Sequence, residues 1–343
     1  MTITDSVQAQ QLWFTAPGHI DIRTQTLAQL SAHEVRVASI ASGISAGTEL
    51  LVYRGQLPDN LALDATLESL SHAANYPLQY GYACVGRVEA LGADVEKEWL
   101  GKIVFAFQPH ASHFHSSVEC LIPVPDDISP EAAIFLANME TAVNLMLDAK
   151  PLLGERVIVL GQGVVGLLAT QLLAQFPLAN LIAADMHGAR CKRASELGAH
   201  STFNPADATA IARVRTNLGD LGADLILELS GTPQAVNLAI ELSGYSSRIV
   251  LGSWYGNKTA AIHLGGSAHR NRLHITTSQV SSIAPELVGR WDKARRFDRT
   301  WDMIRRTQPQ QLISHRVPLA DAAVIYQQLD QAPQDILQAI IRY

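Results

Sequence analysis

The order of apolar and polar positions changes character part-way along the chain. Up to about residue 122, apolar and polar residues alternate in short stretches broken by Gly and Pro, as in EVRVASIASG, YACVGRVEALG, GKIVFAF and SSVECLIPVP. Period-two alternation between turn residues predicts strands of an antiparallel barrel or sandwich. From residue 152, RVIVLG, VVGLLATQLLAQF, LANLIAAD and GARCKRASELGA read strand, helix, strand, helix, and ADLILELSG, TPQAVNLAIELS, RIVLGS and LHITTSQ continue the series. That rhythm predicts a doubly wound parallel sheet. Beyond about residue 283, QLISHRVPLADAAVIYQQL and DILQAIIRY read as strand, helix and strand, a tail too short to fold alone. It is expected to return to the N-terminal strands, so that residues 1–139 and 284–343 form one discontinuous domain and 140–283 an inserted dinucleotide-binding domain.

Length agrees with two domains, since 343 residues exceed what one core usually serves. The formal net charge of −6 and the lack of a basic run with interleaved aromatics argue against nucleic acid or an anionic membrane as partner. Apolar runs such as VIVLGQGVVGLLA carry glycines and stop short of the roughly 20 residues of a membrane span. MTITDSVQAQQLWF does not read as a secretory signal, and Cys84, Cys120 and Cys191 are isolated and lack CxxC spacing. A cytoplasmic protein without disulfides is expected.

The first chemistry-bearing motif is VIVLGQGVVG. Gly161, Gly163 and Gly166 have the GxGxxG spacing, after an apolar strand and at the opening of an apolar helix that begins with Val164 and Val165. The glycines suit a tight turn, backbone approach to a pyrophosphate and close packing of helix on strand, with phosphate at the positive helix N-terminus. The next strand ends in Asp185, 19 residues beyond Gly166, where a carboxylate can accept from the adenosine ribose hydroxyls. A glycine-rich turn beside a solvated Asp is the plain alternative, and the order of strand, glycines, helix and acid sets it aside. Asp185 would repel a 2′-phosphate, so NAD is expected, while His187 and Arg190 leave room for NADP. Arg190, Ser230 and Gly252 are further expected cofactor contacts.

Together these segments resemble the medium-chain dehydrogenase/reductase superfamily, the zinc alcohol dehydrogenase and quinone reductase group. ASGISAGTELLVYRG (41–55) is similar to its SGICGTD stretch, YPLQYGYACVGRVEALGADV to its GHE stretch, and ISHRVPLADAAVIYQQL to its C-terminal T-H-x-x-P-L segment. The resemblance implies a GroES-like β-barrel catalytic domain with an inserted Rossmann domain. It also shows departures. The catalytic zinc ligands of the family fall here on Ser45 or Ala46, on Tyr82-Ala83 in place of His-Glu, and near Ala137, and the four-cysteine lobe of the structural zinc is missing. No metal site and no zinc are expected. GISAGTEL with YPLQYGYACVGRVEALG most resembles a zinc-less branch that includes the bacteriochlorophyllide a dehydrogenases, which implies an alcohol/ketone reaction.

Without a metal, another group must stabilise the alkoxide that zinc would otherwise hold. Tyr82 stands at a metal-ligand position, so its hydroxyl can donate to the substrate oxygen, unless it only fills the space left by zinc. Thr48 falls on the family's proton-relay Ser/Thr and Thr141 on a Thr beside the nicotinamide, while Glu49, at the family Asp, reads as a loop brace. His110, His113 and His115 invite a metal reading, but on an extended strand 113 and 115 share one face and 110 the other. His110 or His113 suits general acid/base work, imidazole being matched to neutral pH. Glu140, beside Thr141, reads as an exposed helix-start carboxylate in preference to a catalytic one.

These features lead to a zinc-independent, NAD-dependent oxidoreductase that interconverts a secondary alcohol and a ketone, as a homodimer or homotetramer. An NAD(P)H-dependent enone or quinone reductase is the alternative enzyme, and a cofactor-binding protein without turnover the alternative from another class. The stretch 55–81 is long for a connection and patterned like a short amphipathic helix. It is read as a lid whose Leu61, Leu63, Leu67 and Leu70 face a bulky substrate, the plain alternative being that they pack the helix onto the barrel.

Overall fold

The computed structural model describes residues 7–58 and 75–343. Two compact units divide the chain: residues up to Ala137 with Gln308–Tyr343, and Asn138–Thr307. Of the stretch 55–81 read as a lid, residues 59–74, with Leu61, Leu63, Leu67 and Leu70, lie outside the described residues.

The first unit begins with an antiparallel hairpin, β1 (Gln8–Ala16) and β2 (His19–Thr26). There follow β3 (Glu34–Gly43), the helix α1 (Ala46–Tyr53), β4 (Cys84–Leu91), β5 (Ile103–Ala106), β6 (His113–Ser117), β7 (Leu121–Pro123) and the one-turn helix α2 (Pro130–Ala133). In β3 the alternation works as the period requires: Val35 and Val37 turn inward to meet Val88, Val104 and Phe114, while Arg36 points outward to Glu89.

The second unit opens with α3 (Leu136–Ala149) and then alternates: β8 (Arg156–Leu160), α4 (Val164–Leu173), β9 (Asn180–Ala184), α5 (Gly188–Glu196), β10 (Ser201–Phe203), α6 (Ala208–Leu218), β11 (Ala223–Glu228), α7 (Ala235–Leu242), β12 (Ser243–Leu251), β13 (His274–Thr277) and α8 (Lys293–Thr307). The strands are all parallel, in the order β10-β9-β8-β11-β12-β13. This is the Rossmann order, with its change of winding direction between β8 and β11. Both faces of the central strands are covered. Val157 and Val159 of β8 pack with Leu145 and Leu173 on one side, and Ile158 and Leu160 pack with Phe203 and Ile240 on the other. Such strands therefore read as continuous apolar runs.

The chain then returns to the first unit as β14 (Ile313–Pro318), α9 (Ala322–Gln331) and β15 (Gln338–Arg342). The seven-stranded sheet runs β14-β15-β3-β4-β5-β7, with β6 paired to β3. Residues 284–307, expected with the first unit, belong to the second. The physical reason is Arg296 of α8, 1% exposed, which donates to Glu140 and Asn144 of α3 and to the carbonyls of Val280 and Ser282. A buried guanidinium needs such a full set of acceptors, and α3 and the 280–282 segment supply them. Glu140 is accordingly a buried partner of Arg296 at 3% exposure, and not the exposed helix-start carboxylate expected from the sequence.

Candidate functional site

In the first unit the chemistry gathers at the start of α1. Ser45 is its N-terminal flanking residue, and the Ser45 N–H donates to Glu49 Oε1 at 2.6 Å, so the acidic residue of the first turn satisfies the helix start. Tyr82 reaches the same turn from the segment before β4: its hydroxyl donates to Ser45 Oγ, and its oxygen lies 3.3 Å from Thr48 Oγ1. Three hydroxyls thus meet on half-buried residues.

Behind them lies a fully buried polar group. Glu49 Oε2 accepts from His110 Nε2 at 3.0 Å and from the Tyr326 hydroxyl of α9, and neither Glu49 nor His110 has exposed surface. His110 Nδ1 is 2.6 Å from Ser42 Oγ, which in turn is 2.8 Å from the Tyr343 hydroxyl. With Nε2 carrying the proton, Ser42 donating to Nδ1 and Tyr343 donating to Ser42, the line leaves Glu49 as a carboxylate with three donors. Burial first, then the charge of Glu49, push the Tyr326 phenol well above its ordinary value, which keeps it a donor. Gly81 lets His110 come this close: its φ is +130°, and a Cβ there would stand 2.9 Å from His110 Cδ2.

The structure brings Tyr82, Thr48 and His110 into this one neighbourhood, and it does not bring His113. His113 turns to Ser112 Oγ, 3.1 Å away, and to Glu89, 3.9 Å away. His115 faces Glu34 and Arg36, and burial lowers its ring from the ordinary histidine value. Ser42, Tyr326 and Tyr343 were not singled out by sequence reasoning. Ser42 sits three positions before Ser45 in the motif already noted, whereas Tyr326 lies on a helical face that reads as plain core beside Ile325 and Leu329.

These residues do not fit zinc, which takes thiolate, imidazole or carboxylate donors. The oxygens around Tyr82 are hydroxyls, and the oxygens of Glu49 and both nitrogens of His110 are engaged within the protein. Cys84 is buried against Ser39, and burial pushes its thiol up to about 12, far from a thiolate. Among the described residues no three His, Cys, Asp or Glu side chains converge as metal ligands.

In the second unit, the turn after β8 has the form a dinucleotide needs. At Gly161, with φ +93°, a Cβ would lie 2.6 Å from the Leu229 backbone, and at Gly166 a Cβ would lie 2.0 Å from Gly161 O. At Gly163, the N-terminal flank of α4, a Cβ would meet nothing within 4 Å. Packing explains the first and third glycines and leaves the second facing open space, where a ligand can approach the backbone and the first N–H groups of α4, those of Val164 and Val165 among them. Asp185, at the end of β9, accepts from Gln162 N–H at 2.8 Å and His187 N–H at 2.9 Å. Its two oxygens keep lone pairs for ribose hydroxyls. Arg190 is a loose neighbour, 3.9 Å from Asp185. Ser230 donates to Glu228 from both N–H and hydroxyl, and a Cβ at Gly252 would meet Leu229 and Leu145 within 2.8 Å, so packing alone accounts for that glycine. Thr141 lies half-buried in α3. Among the described residues no helix is long and apolar enough to cross a membrane.

The family described as zinc-binding dehydrogenase matches residues 164–296. The chain is 26% identical to the D-guloside 3-dehydrogenase of Escherichia coli K12 over 76% of each protein. Among solved structures it is similar in fold to the alcohol dehydrogenase RspB of E. coli CFT073 in complex with NADH, at TM-score 0.79 and 19% identity, covering 98% of this chain and 99% of that one. It is likewise similar to 2R,3R-butanediol dehydrogenase from Bacillus subtilis, at TM-score 0.79 and 18% identity over 98% and 99%. The chain is an oxidoreductase, similar over most of its length to dehydrogenases of this kind.

Proposed function

We propose that the protein is a zinc-independent, NAD-dependent dehydrogenase that interconverts a secondary alcohol and a ketone on a medium or large substrate such as a sugar or polyol. The observation that carries this reading is the hydroxyl group of Tyr82, held by Ser45 and Thr48 where the family resemblance puts a metal ligand. The relatives named as guloside and butanediol dehydrogenases support an alcohol as substrate.

A bound NAD would supply the acceptor for the hydride of the carbinol carbon. The residues that would hold it are the Gly161–Gly166 turn and the opening of α4 for the pyrophosphate, and Asp185 for the adenosine ribose. A carboxylate there opposes a 2′-phosphate and favours NAD. The protein itself handles the substrate oxygen and its proton. In the reduction direction the oxygen gains negative charge, and the Tyr82 hydroxyl is the donor placed to stabilise it and to deliver the proton. In the oxidation direction the Tyr82–Ser45–Thr48 hydroxyls relay the alcohol proton to solvent, each oxygen taking up one proton as it gives up its own. Glu49 holds Ser45 through its backbone N–H and so keeps this trio in place.

The test is a panel of secondary alcohols, sugars, polyols and their ketones with NAD(H) and NADP(H), after dialysis against a strong chelator. Turnover of a secondary alcohol with NAD is the expected result. Turnover of conjugated enones alone would replace this reading with the reductase one.

A further inference from the structure

In a doubly wound sheet a ligand lies outside the carboxyl ends of the strands, at the change of winding direction, here between β8 and β11. If Asp185 at the end of β9 takes the adenosine ribose and α4 the pyrophosphate, the remaining half of a dinucleotide must extend the other way, over the ends of β11 and β12. Those ends are tied together by a group that the reaction does not itself use. Glu228, the last residue of β11, has no exposed surface. Its Oε1 accepts from Ser230 N–H at 2.8 Å and from the Ser230 hydroxyl, and its Oε2 accepts from the hydroxyl of Tyr255. Tyr255 belongs to the segment that follows β12. The same segment returns twice more to the turn after β11: Gly231 N–H donates to Ser253 Oγ at 2.9 Å, and Lys258 Nζ donates to Gly231 O at 3.0 Å. The turn after β11 also touches the glycine-rich turn, since a Cβ on Gly161 would collide with the Leu229 backbone. Burial, then the charge of Glu228, raise the Tyr255 phenol above its ordinary value, so it stays a donor.

We infer that Glu228 and Tyr255 form a latch that fixes the turns after β11 and β12 as the wall for the nicotinamide half of the cofactor, which makes them positioning residues for cofactor binding. This rests on the reading of the second unit as a nicotinamide dinucleotide site. A buried carboxylate is expensive to leave in a strand end unless its donors hold it, and here those donors come from the two turns in question. The latch acts on the nicotinamide half only, because the pyrophosphate would lie on the Gly161–Gly166 turn and α4, and the adenosine ribose on Asp185.

The experiment measures binding, which needs no substrate. Affinities for NADH and for AMP are determined by fluorescence and calorimetry for the unaltered protein, Tyr255→Phe and Glu228→Gln, with melting temperatures of each. The expected result is a loss of about tenfold in NADH affinity on removing a hydrogen bond to a buried carboxylate, with AMP affinity unchanged. Equal loss for NADH and AMP, or no loss for either, would overturn the latch. Failure of the unaltered protein to bind NADH or NADPH would instead overturn the dinucleotide reading, and the latch with it.

Discussion

His110 Nε2 and Glu49 Oε2 meet at 3.0 Å with neither side chain exposed to solvent. This pair stands directly behind the Tyr82 hydroxyl group, because the other oxygen of Glu49 holds the Ser45 N–H and Ser45 Oγ accepts from Tyr82. Removing the carboxylate takes an acceptor from Ser45 N–H, from His110 Nε2 and from the Tyr326 hydroxyl, the last two fully buried. Glu49→Ala is expected to lower stability by about 3 kcal/mol in denaturant unfolding. Glu49→Gln keeps the shape, and is expected to lower kcat about tenfold in the unaltered background and hardly at all in Tyr82→Phe, since it acts through that hydroxyl. Additive losses in the double variant would separate Glu49 from Tyr82.

Asp185 governs cofactor choice if it holds the adenosine ribose. Asp185→Ser removes an acceptor and the charge that opposes a 2′-phosphate, while Arg190, 3.9 Å from Asp185, remains. The ratio of kcat/KM for NAD over NADP is expected to fall at least tenfold. A preference for NADP in the unaltered protein would contradict the assignment.

Metal dependence follows from the donor set around Tyr82. Elemental analysis of active protein is expected to find no stoichiometric zinc, and chelation is expected to leave activity intact. One tightly held metal ion per chain, lost together with activity, would show that a ligand set exists beyond the residues described.

Glu131, in the first turn of α2, ties both strands of the C-terminal return. Arg316 of β14 donates to it from Nε at 2.9 Å and from Nη2 at 2.8 Å, and Arg342 of β15 donates at 2.6 Å. The Arg316 hydrogen bonds above all hold its carboxyl down at about 2, against an ordinary value of 4.5, with burial opposing and Arg342 adding to the effect. With the folded value below the unfolded one, the stabilisation is whole above about pH 4.5 and is lost as pH falls towards 2. Glu131→Gln is therefore expected to lower the denaturation midpoint at pH 7, and the gap from the unaltered protein is expected to close as the pH falls from 5. A gap that stays constant would exclude the ion pairs as its cause.

Much of the fold is legible in the sequence because the two periodicities are clean. Val35 and Val37 mark the inner face of β3, and RVIVLG and ADLILELSG are apolar throughout because parallel strands are covered on both faces. The boundary at 307/308 is not legible, since KARRFDRTWDMIRRT is rich in charge and nothing local marks Arg296 as the arginine of this helix that is buried. The cofactor turn is legible because its glycines are required by backbone contacts within one short segment. The line of Ser42, Glu49, His110, Tyr326 and Tyr343 joins three stretches far apart in sequence, 42–49, 110 and 326–343, and Tyr326 in particular satisfies an apolar helical face with its ring while its hydroxyl does something the pattern does not record.

The central claim is that a phenol, in place of a metal, carries the charge and proton of the substrate oxygen. Its most direct measurement is the kcat of Tyr82→Phe on the best secondary alcohol of the panel, with the dissociation constant for NADH measured alongside. The expected result is a fall of roughly ten- to a thousand-fold in kcat, the range for losing a positioned acid or oxyanion donor, with NADH affinity unchanged. An unchanged kcat would contradict the account and return Tyr82 to packing.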